Sequence, residues 1–251
     1  MSAGALELAA LRGIPAVRPG DDLAALVGAA ARTSGVRLVG GVLVVCQKIV
    51  SKAEGRIVRL ADVEPSAEAV RIGALDGKDA RHVEIVLRET ARVVRHAHGV
   101  FIAETRHGFV CANAGVDLSN APGEGVAVLL PTDPDASARR LRDALAAAGH
   151  GPLGVVVSDT FGRPWREGLV DVALGCAGVA ALADWRGRKD WAGRPLEVTA
   201  MAHVDQLAAA AGLLMAKDAG IPAVWIAGAD CGGGDAGIRA LLRDPELDLF
   251  R

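Results

Sequence analysis

Residues 153–168 read LGVVVSDTFGRPWREG, a nearly continuous apolar run that stops at a carboxylate. Such a run is typical of a strand that is buried on both faces of a sheet. At its carboxyl end the chain changes abruptly to Ser158, Asp159 and Thr160. Since open α/β sheets bind ligands beyond the carboxyl ends of their strands, this stop predicts a ligand-binding position.

The residue types at this stop favour a cation and an anion together. An aspartate beside a hydroxyl can hold a hard divalent cation through oxygen ligands, with phosphate completing the shell. Arg163 and Arg166 lie just beyond and could neutralise phosphate or carboxylate oxygens. Taken alone, an ordinary Asp-Thr turn with solvated arginines explains the motif equally well.

A second stop of the same kind lies in residues 109–125, FVCANAGVDLSNAPGEG. Here Asn113, Asp117 and Asn120 supply oxygens on a glycine-containing loop that follows a strand-like run. Two oxygen-rich tips in one chain favour a metal–phosphate site over two unrelated turns. The sequence therefore predicts that Asp117 and Asp159 converge.

Cationic side chains follow another predicted strand, within residues 40–55, GGVLVVCQKIVSKAEG. Lys48, Lys52 and the following Arg56 are placed suitably for gripping phosphates. A charged surface turn explains their spacing nearly as well. Both interpretations remain open at the level of the sequence.

The order of the remaining elements limits the fold class. Helical spacing of apolar residues predicts helices over residues 78–95 and 204–220. Two strands around a turn at 106–108 interrupt the alternation of strands and helices, which argues against a simple doubly wound sheet. The pattern alone is compatible with α/β and with α+β.

Composition excludes several classes of function. The chain has 251 residues, a net charge of -2 and 51% hydrophobic residues, which favours one large domain or two packed ones and disfavours a nucleic-acid surface. No apolar run is long enough to span a bilayer, and the N-terminus does not resemble a signal peptide. The cysteines are far apart, without a C-x-x-C pair, so we expect reduced thiols in a cytoplasmic protein and disfavour a zinc site.

The motifs in their order resemble a known family. They are GIPAVRPGDDL (13–23), QKIVSKAEGR (47–56), ETRHGFVCANAGVDLSN (104–120), SDTFGRPWREG (158–168) and VDQLAAAAGLLMAK (204–217). Together they closely resemble the coenzyme F-420-0:L-glutamate ligases, the γ-glutamyl ligases of deazaflavin coenzyme biosynthesis. The resemblance covers nearly the whole chain.

The resemblance implies a GTP-dependent ligase that joins glutamate to F-420-0 through an amide bond, by way of an acyl phosphate. It also implies two divalent cations, Mg²⁺ or Mn²⁺, stimulation by K⁺, and an intertwined homodimer with an α+β fold. Small molecules are then the expected partners, with neither a nucleic acid nor a membrane among them.

The resemblance also implies roles for individual residues. The metal ligands would be Asp117 and Asp159 for one cation and Thr160 and Gln206 for the other. Lys52 and Arg163 would assist the two aspartates in catalysis. The nucleotide contacts would be Ile14, Pro15, Ala16, Val17, Gln47, Lys52 and Asn120.

The ending RDPELDLFR (243–251) resembles the end of the ligase part of a two-domain form of the family. We therefore expect residues 1–251 to be one ligase domain, with two intimately packed subdomains as an alternative, and without the nitroreductase-like domain of that form. It is either a free-standing ligase or a truncated one.

Two functions compete with this expectation, and one segment keeps three interpretations. A γ-glutamyl ligase with another acceptor, or a nucleotide- and metal-binding regulator without turnover, would share many of these motifs. The basic segment 184–197, DWRGRKDWAGRPLE, could stack on the deazaflavin ring, meet the substrate phosphate, or form an exposed hairpin.

Overall fold

The computed structural model describes residues 4–119, 121 and 123–248. Its helices are α1 Leu23–Thr33, α2 Gln47–Ala53, α3 Ala67–Asp76, α4 Ala80–Glu89, α5 Pro134–Ala147 and α6 His203–Gly212. Its strands are β1 Glu7–Ala10, β2 Gly41–Cys46, β3 Ile57–Arg59, β4 Thr90–Ala97, β5 Val100–Thr105, β6 Val110–Ala112, β7 Val126–Val128, β8 Leu153–Arg163, β9 Arg166–Ala177, β10 Leu182–Asp184, β11 Ala200–Ala202 and β12 Ala223–Ala227.

The largest sheet has the strand order β1-β12-β2-β8-β9. Strands β2 and β8 run parallel, and the other neighbours in this sheet are antiparallel. Residues 153–158 of β8 are buried between β2 and β9, which confirms the predicted buried strand. Their apolar side chains alternate between the two faces of the sheet, and both faces are covered.

Two hydrophobic clusters cover this sheet. On one face, Leu43 and Val155 join side chains of α1 and α5. On the other, Val44 and Val156 join Leu207 and its neighbours in α6. Helices cover both faces of this sheet, so a ligand can reach it at the carboxyl ends of β2 and β8.

A third cluster lies between these strands in the chain, within residues 57–129. It packs α3 and α4 against Phe101 and Ala103 of β5 and against Leu129. Here β4, β5 and β6 form a three-stranded sheet and β3 pairs with β7. Separate antiparallel sheets beside a helix-covered sheet confirm the α+β class.

The predicted helix over 78–95 is wrong beyond residue 89. Helix α4 ends at Glu89, and the chain continues as β4, which pairs with β5. Thr90 is already extended, with ψ of 126°, and its hydroxyl donates to the carbonyl of Val86 at 2.7 Å. Pairing with β5 therefore prevails over the helical spacing of the apolar residues.

The helix predicted to reach residue 220 also stops early. Helix α6 ends at Gly212, and tight turns follow, in which Leu214 N–H donates to Ala211 and Met215 N–H donates to Gly212. Residues 213–222 thus form a loop that precedes β12. This loop becomes one wall of the candidate site.

In the described ranges every helix is too short or too polar to cross a membrane. All four cysteines are free thiols; Cys111 and Cys176 are buried, while Cys46 and Cys231 are partly exposed. This agrees with the expectation of reduced cysteines.

Candidate active site

A cavity of about 660 Å³ opens at the carboxyl ends of β2 and β8. Its volume lies within the range of small-molecule sites. Its lining residues lie in segments 14–17, 46–52, 111–117, 159–171 and 215–222. The main sheet, the region of the third cluster and the loop after α6 therefore all contribute to one site.

Asp159 lies where β8 leaves the buried sheet. Burial raises the pKa of its carboxyl to about 6, and the nearby Asp117 and Asp171 act in the same direction. The Thr160 backbone N–H and Lys48 oppose this shift. A desolvated carboxylate with acidic neighbours favours a compensating positive charge in the cavity.

Asp117 reaches the same cavity from the other side. Its backbone is paired with Val128, and its Oδ1 accepts from the Ser119 N–H at 2.6 Å. Burial alone would raise its pKa, but the ion pair with Lys48 and the bonds from Ser119 lower the pKa below its usual value. The structure therefore brings Asp117 and Asp159, the two predicted stops, to one cavity.

Lys48 is held firmly at this position. Its Nζ lies 2.7 Å from Asp117 Oδ2 and donates to Ser119 Oγ at 2.8 Å and to the Ser119 carbonyl at 3.1 Å. These acceptors match the three donors of an ammonium group. Lys48 thus supplies the positive charge that Asp117 needs in the protein without ligands.

The turn of α2 explains which of its side chains face the cavity. Lys48 and Lys52, four residues apart, line the cavity, whereas Gln47 and Ser51 are buried on another side of the helix. Ser51 donates its hydroxyl to Gln47 Oε1 at 2.8 Å. Gln47 therefore lies outside the cavity surface, and its predicted nucleotide contact has no support from this geometry.

Thr160 and Asp171 face each other across the β8–β9 hairpin. The Thr160 hydroxyl donates to Asp171 Oδ1 at 2.8 Å, and both residues line the cavity. Asp171 is absent from the predicted set because the hairpin pairs Arg163 with Arg166 but Gly162 with Leu169. This bulge shifts the register, and no sequence signal reveals the shift.

The structure places two other predicted residues away from the cavity. Gln206 is exposed on α6, whose buried face carries Val204, Leu207, Ala208 and Ala211. Arg163 is exposed near the end of the hairpin and donates to the Glu167 carbonyl at 3.2 Å. Asn120, the last predicted nucleotide contact, lies outside the described residues.

The predicted residues Ile14, Pro15, Ala16 and Val17 do line the cavity, as does Lys52. Arg56 does not; it pairs with Glu89 at 2.8 Å and donates to the Leu130 carbonyl. The loop after α6 adds Met215 and Lys217, which the predicted longer helix concealed.

A left-handed backbone segment shapes one wall. Asn113 and Ala114 both have φ of 51°, and Gly115 has φ of 74°. This conformation is unfavourable for alanine, and Ala114 is buried in the third cluster, which holds it in place. The segment directly precedes Asp117 and so helps to fix the position of its carboxylate.

Two cavity thiols do not look like nucleophiles. Burial raises the pKa of Cys46 to about 11 and that of Cys111 to about 12. The thiolate is the reactive form of cysteine, and it is scarce at neutral pH for such groups. The groups in the cavity that are available for catalysis or binding at neutral pH are therefore its carboxylates, the Thr160 hydroxyl and its lysines.

The oxygen donors Asp117, Asp159 and Thr160 are of the type that Mg²⁺ and Mn²⁺ prefer. Across residues 4–119, 121 and 123–248, no three His, Cys, Asp or Glu side chains cluster closely enough to hold a metal ion. The donor chemistry fits a hard cation, with further ligands needed from bound phosphate or water.

The segment 184–197 is an exposed excursion between β10 and β11. The guanidinium of Arg188 lies 5.8 Å from the ring centroid of Trp185, and Trp191 is fully exposed. Neither tryptophan lines the cavity. This agrees with the exposed-hairpin interpretation.

A cavity lined by carboxylates and lysines at the ends of strands is suited to binding small charged molecules. Comparison with known families makes this more specific. The model of the F420-0:Gamma-glutamyl ligase family matches residues 13–228. The chain belongs to this family, as its motifs predict.

Three similar proteins match nearly the whole chain. The Coenzyme F420:L-glutamate ligase of Methanothermobacter thermautotrophicus is 46% identical, over 98% of this chain and 99% of its own length. Those of Methanopyrus kandleri and Archaeoglobus fulgidus are 46% and 41% identical, over 94% and 98% of this chain and 93% and 96% of their own lengths.

Proposed function

We propose that this protein joins L-glutamate to coenzyme F-420-0 through an amide bond, with GTP converted to GDP and phosphate. Family membership and the names of its relatives support the substrates. One structural observation supports the chemistry above all: Asp117, Asp159 and Thr160 line one cavity together with Lys48 and Lys52.

The reaction must first activate a carboxylate. An oxygen of the F-420-0 carboxylate attacks the γ-phosphorus of GTP, the bond to the bridging oxygen breaks, and GDP leaves. The glutamate amine then attacks the acyl carbon, phosphate leaves, and the nitrogen loses a proton. Both steps need positioning and neutralisation of phosphate charge more than a covalent group on the protein.

The cavity residues divide these tasks. Lys48 and Lys52 carry the positive charge that phosphate oxygens require. The apolar segment 14–17 offers a surface for the nucleobase.

One Mg²⁺ or Mn²⁺ would be held by Asp117 and Asp159 and a second by Thr160, and when bound they would neutralise phosphate oxygens during the transfer. Gln206 and K⁺ remain predictions from the family resemblance. Gln206 would have to reach the site in another arrangement, because it is exposed on α6 in the single chain.

An intertwined homodimer is part of this proposal. The exposed apolar side chains Val93, Val94, Trp165, Leu169 and Trp191 support it, since association would remove them from water. Sedimentation velocity measures the mass directly. A monomer at micromolar concentration would contradict this part of the proposal.

The decisive experiment incubates the protein with F-420-0, GTP, Mn²⁺ and isotope-labelled glutamate, and detects products by mass spectrometry. We expect the glutamylated coenzyme and GDP in equal amounts. GDP with product from another acid, but none from F-420-0, would show a ligase with a different acceptor. Tight GTP binding without turnover would show a regulator.

Asp159→Asn tests the residue that the site depends on most. We expect the rate of glutamylation to fall at least about a hundredfold. Without the Asp159 carboxylate, the cation that would neutralise the phosphate oxygens is no longer held. Glu167→Gln, an exposed change on the same hairpin, is the matched control and should keep full activity. Activity at the wild-type level in Asp159→Asn, with unchanged thermal unfolding, would refute the assignment.

A further inference from the structure

Asp171 has no role in the reaction described so far, yet it lines the cavity. Its Oδ1 accepts the hydrogen of the Thr160 hydroxyl at 2.8 Å. A threonine hydroxyl has one hydrogen and two lone pairs. Because the hydrogen is given to Asp171, the Thr160 oxygen can offer only electron pairs to anything else in the cavity.

The carboxylate of Asp171 is also held from behind. Helix α6 packs against β9, and Gly212 lies directly beneath Asp171. A β-carbon on Gly212 would overlap Asp171 Oδ2 and lie 2.9 Å from its Cγ. The glycine therefore leaves the space that this carboxylate occupies, and the backbone of α6 limits its movement.

We propose that Asp171 is a positioning residue that fixes the Thr160 hydroxyl as an electron-pair donor toward the cavity. The inference rests on the proposed function, in which Thr160 is a ligand of a divalent cation. Without Asp171, the Thr160 hydroxyl is free to rotate and to donate its hydrogen elsewhere. Residues that orient a ligand in this way commonly affect metal affinity by about ten- to a hundredfold.

The test measures Mn²⁺ affinity of the whole protein by calorimetry and by electron paramagnetic resonance, without other substrates. Two variants, Asp171→Asn and Asp171→Ala, remove the same charge, but only the asparagine keeps an acceptor oxygen for Thr160. We expect the alanine variant to bind Mn²⁺ about tenfold more weakly than the asparagine variant. Equal affinities would show that the acceptor oxygen at residue 171 does not matter and would overturn the proposal.

The same pair in a Thr160→Val background removes the hydroxyl that is to be positioned. There the two variants should have equal Mn²⁺ affinities, because nothing is left to orient. A persisting difference would mean that residue 171 acts directly on the cation, which also overturns the proposal. Thr160→Ser, which keeps the hydroxyl, should restore the difference.

Glu167→Gln serves again as the control, because it removes a negative charge from the same strand at an exposed position. It should leave Mn²⁺ affinity unchanged. Failure of the inference is distinct from failure of the proposed function. If the unmodified protein makes the glutamylated product but the two Asp171 variants bind Mn²⁺ equally, only the inference is rejected. If the unmodified protein binds no Mn²⁺ and makes no product, both are rejected.

Discussion

Lys48 is bound to Asp117, one of the predicted cation ligands. Its ammonium group donates to Ser119 and neutralises the Asp117 carboxylate, which a bound cation would otherwise neutralise. An ammonium group and a divalent cation compete for the same carboxylate. We therefore expect Lys48 to oppose cation binding at Asp117.

Removing the Lys48 ammonium group should strengthen Mn²⁺ binding rather than weaken it. Lys48→Met should bind Mn²⁺ severalfold more tightly in the absence of nucleotide, because a partly buried ion pair worth about 1 kcal/mol no longer opposes it. Its turnover should nevertheless fall, since phosphate loses a positive partner. Calorimetry of Mn²⁺ binding and steady-state kinetics measure the two effects.

The control for this prediction is Lys217→Met. Lys217 also lines the cavity, but among the described residues no ion pair joins it to Asp117. Its loss removes general positive charge only. Equal tightening in both variants, or weaker Mn²⁺ binding in Lys48→Met, would show that Lys48 does not compete for Asp117.

At the scale of elements, the contact between α6 and β9 determines the position of Asp171. Gly212→Ala adds a methyl group where the Asp171 carboxylate lies, so the carboxylate must move although its charge is kept. We expect Mn²⁺ affinity to fall as it does in Asp171→Ala, with a loss of stability of about 1–3 kcal/mol.

Denaturant unfolding and Mn²⁺ calorimetry test this change. Gly232→Ala is the matched control, since the nearest atom to its added β-carbon is Asp230 Oδ1 at 3.5 Å, an ordinary contact. If Gly212→Ala keeps wild-type Mn²⁺ affinity, the packing of α6 does not control Asp171.

Elements also show where sequence reasoning succeeds and where it stops. The apolar run before Asp159 predicts β8 correctly, because burial on both faces leaves a direct trace in composition. The lengths of α4 and α6 are wrong, because strand pairing and tight turns prevail over helical spacing. Asp171 could not be predicted, since its approach to Thr160 depends on a bulge in the hairpin.

For the molecule as a whole, Glu84 makes the free energy of unfolding depend on pH. Its carboxylate accepts from the Ser66 N–H at the start of α3 and from Arg88 within α4. The bonds from Ser66, with Arg88 adding to them, lower the pKa of Glu84 to about 2. The unfolded chain has a glutamate pKa of about 4.3, so it binds this proton more readily than the folded protein.

The contribution of Glu84 is therefore complete above about pH 4.3 and disappears as the pH falls toward 2. Glu84→Gln should lose about 1–2 kcal/mol of stability at pH 7 and progressively less in acid. Denaturant unfolding at pH 7, 4 and 3 measures this difference. A constant deficit at every pH, or none at neutral pH, would contradict the role of its charge, and Glu167→Gln should show no deficit.

The parallel pairing of β2 with β8 has a consequence for how the chain folds. All residues between 47 and 152, including the third cluster and Asp117, lie within the crossover that joins these two strands. Closing such a long connection costs chain entropy, so we expect the pairing of β2 with β8 to form late in folding. Asp117 lies on the crossover and Asp159 on β8, so the two carboxylates can share a cavity only once that closure is complete. We therefore expect the complete cavity to form only in the last stage of folding, after the crossover has folded and β8 has joined the sheet.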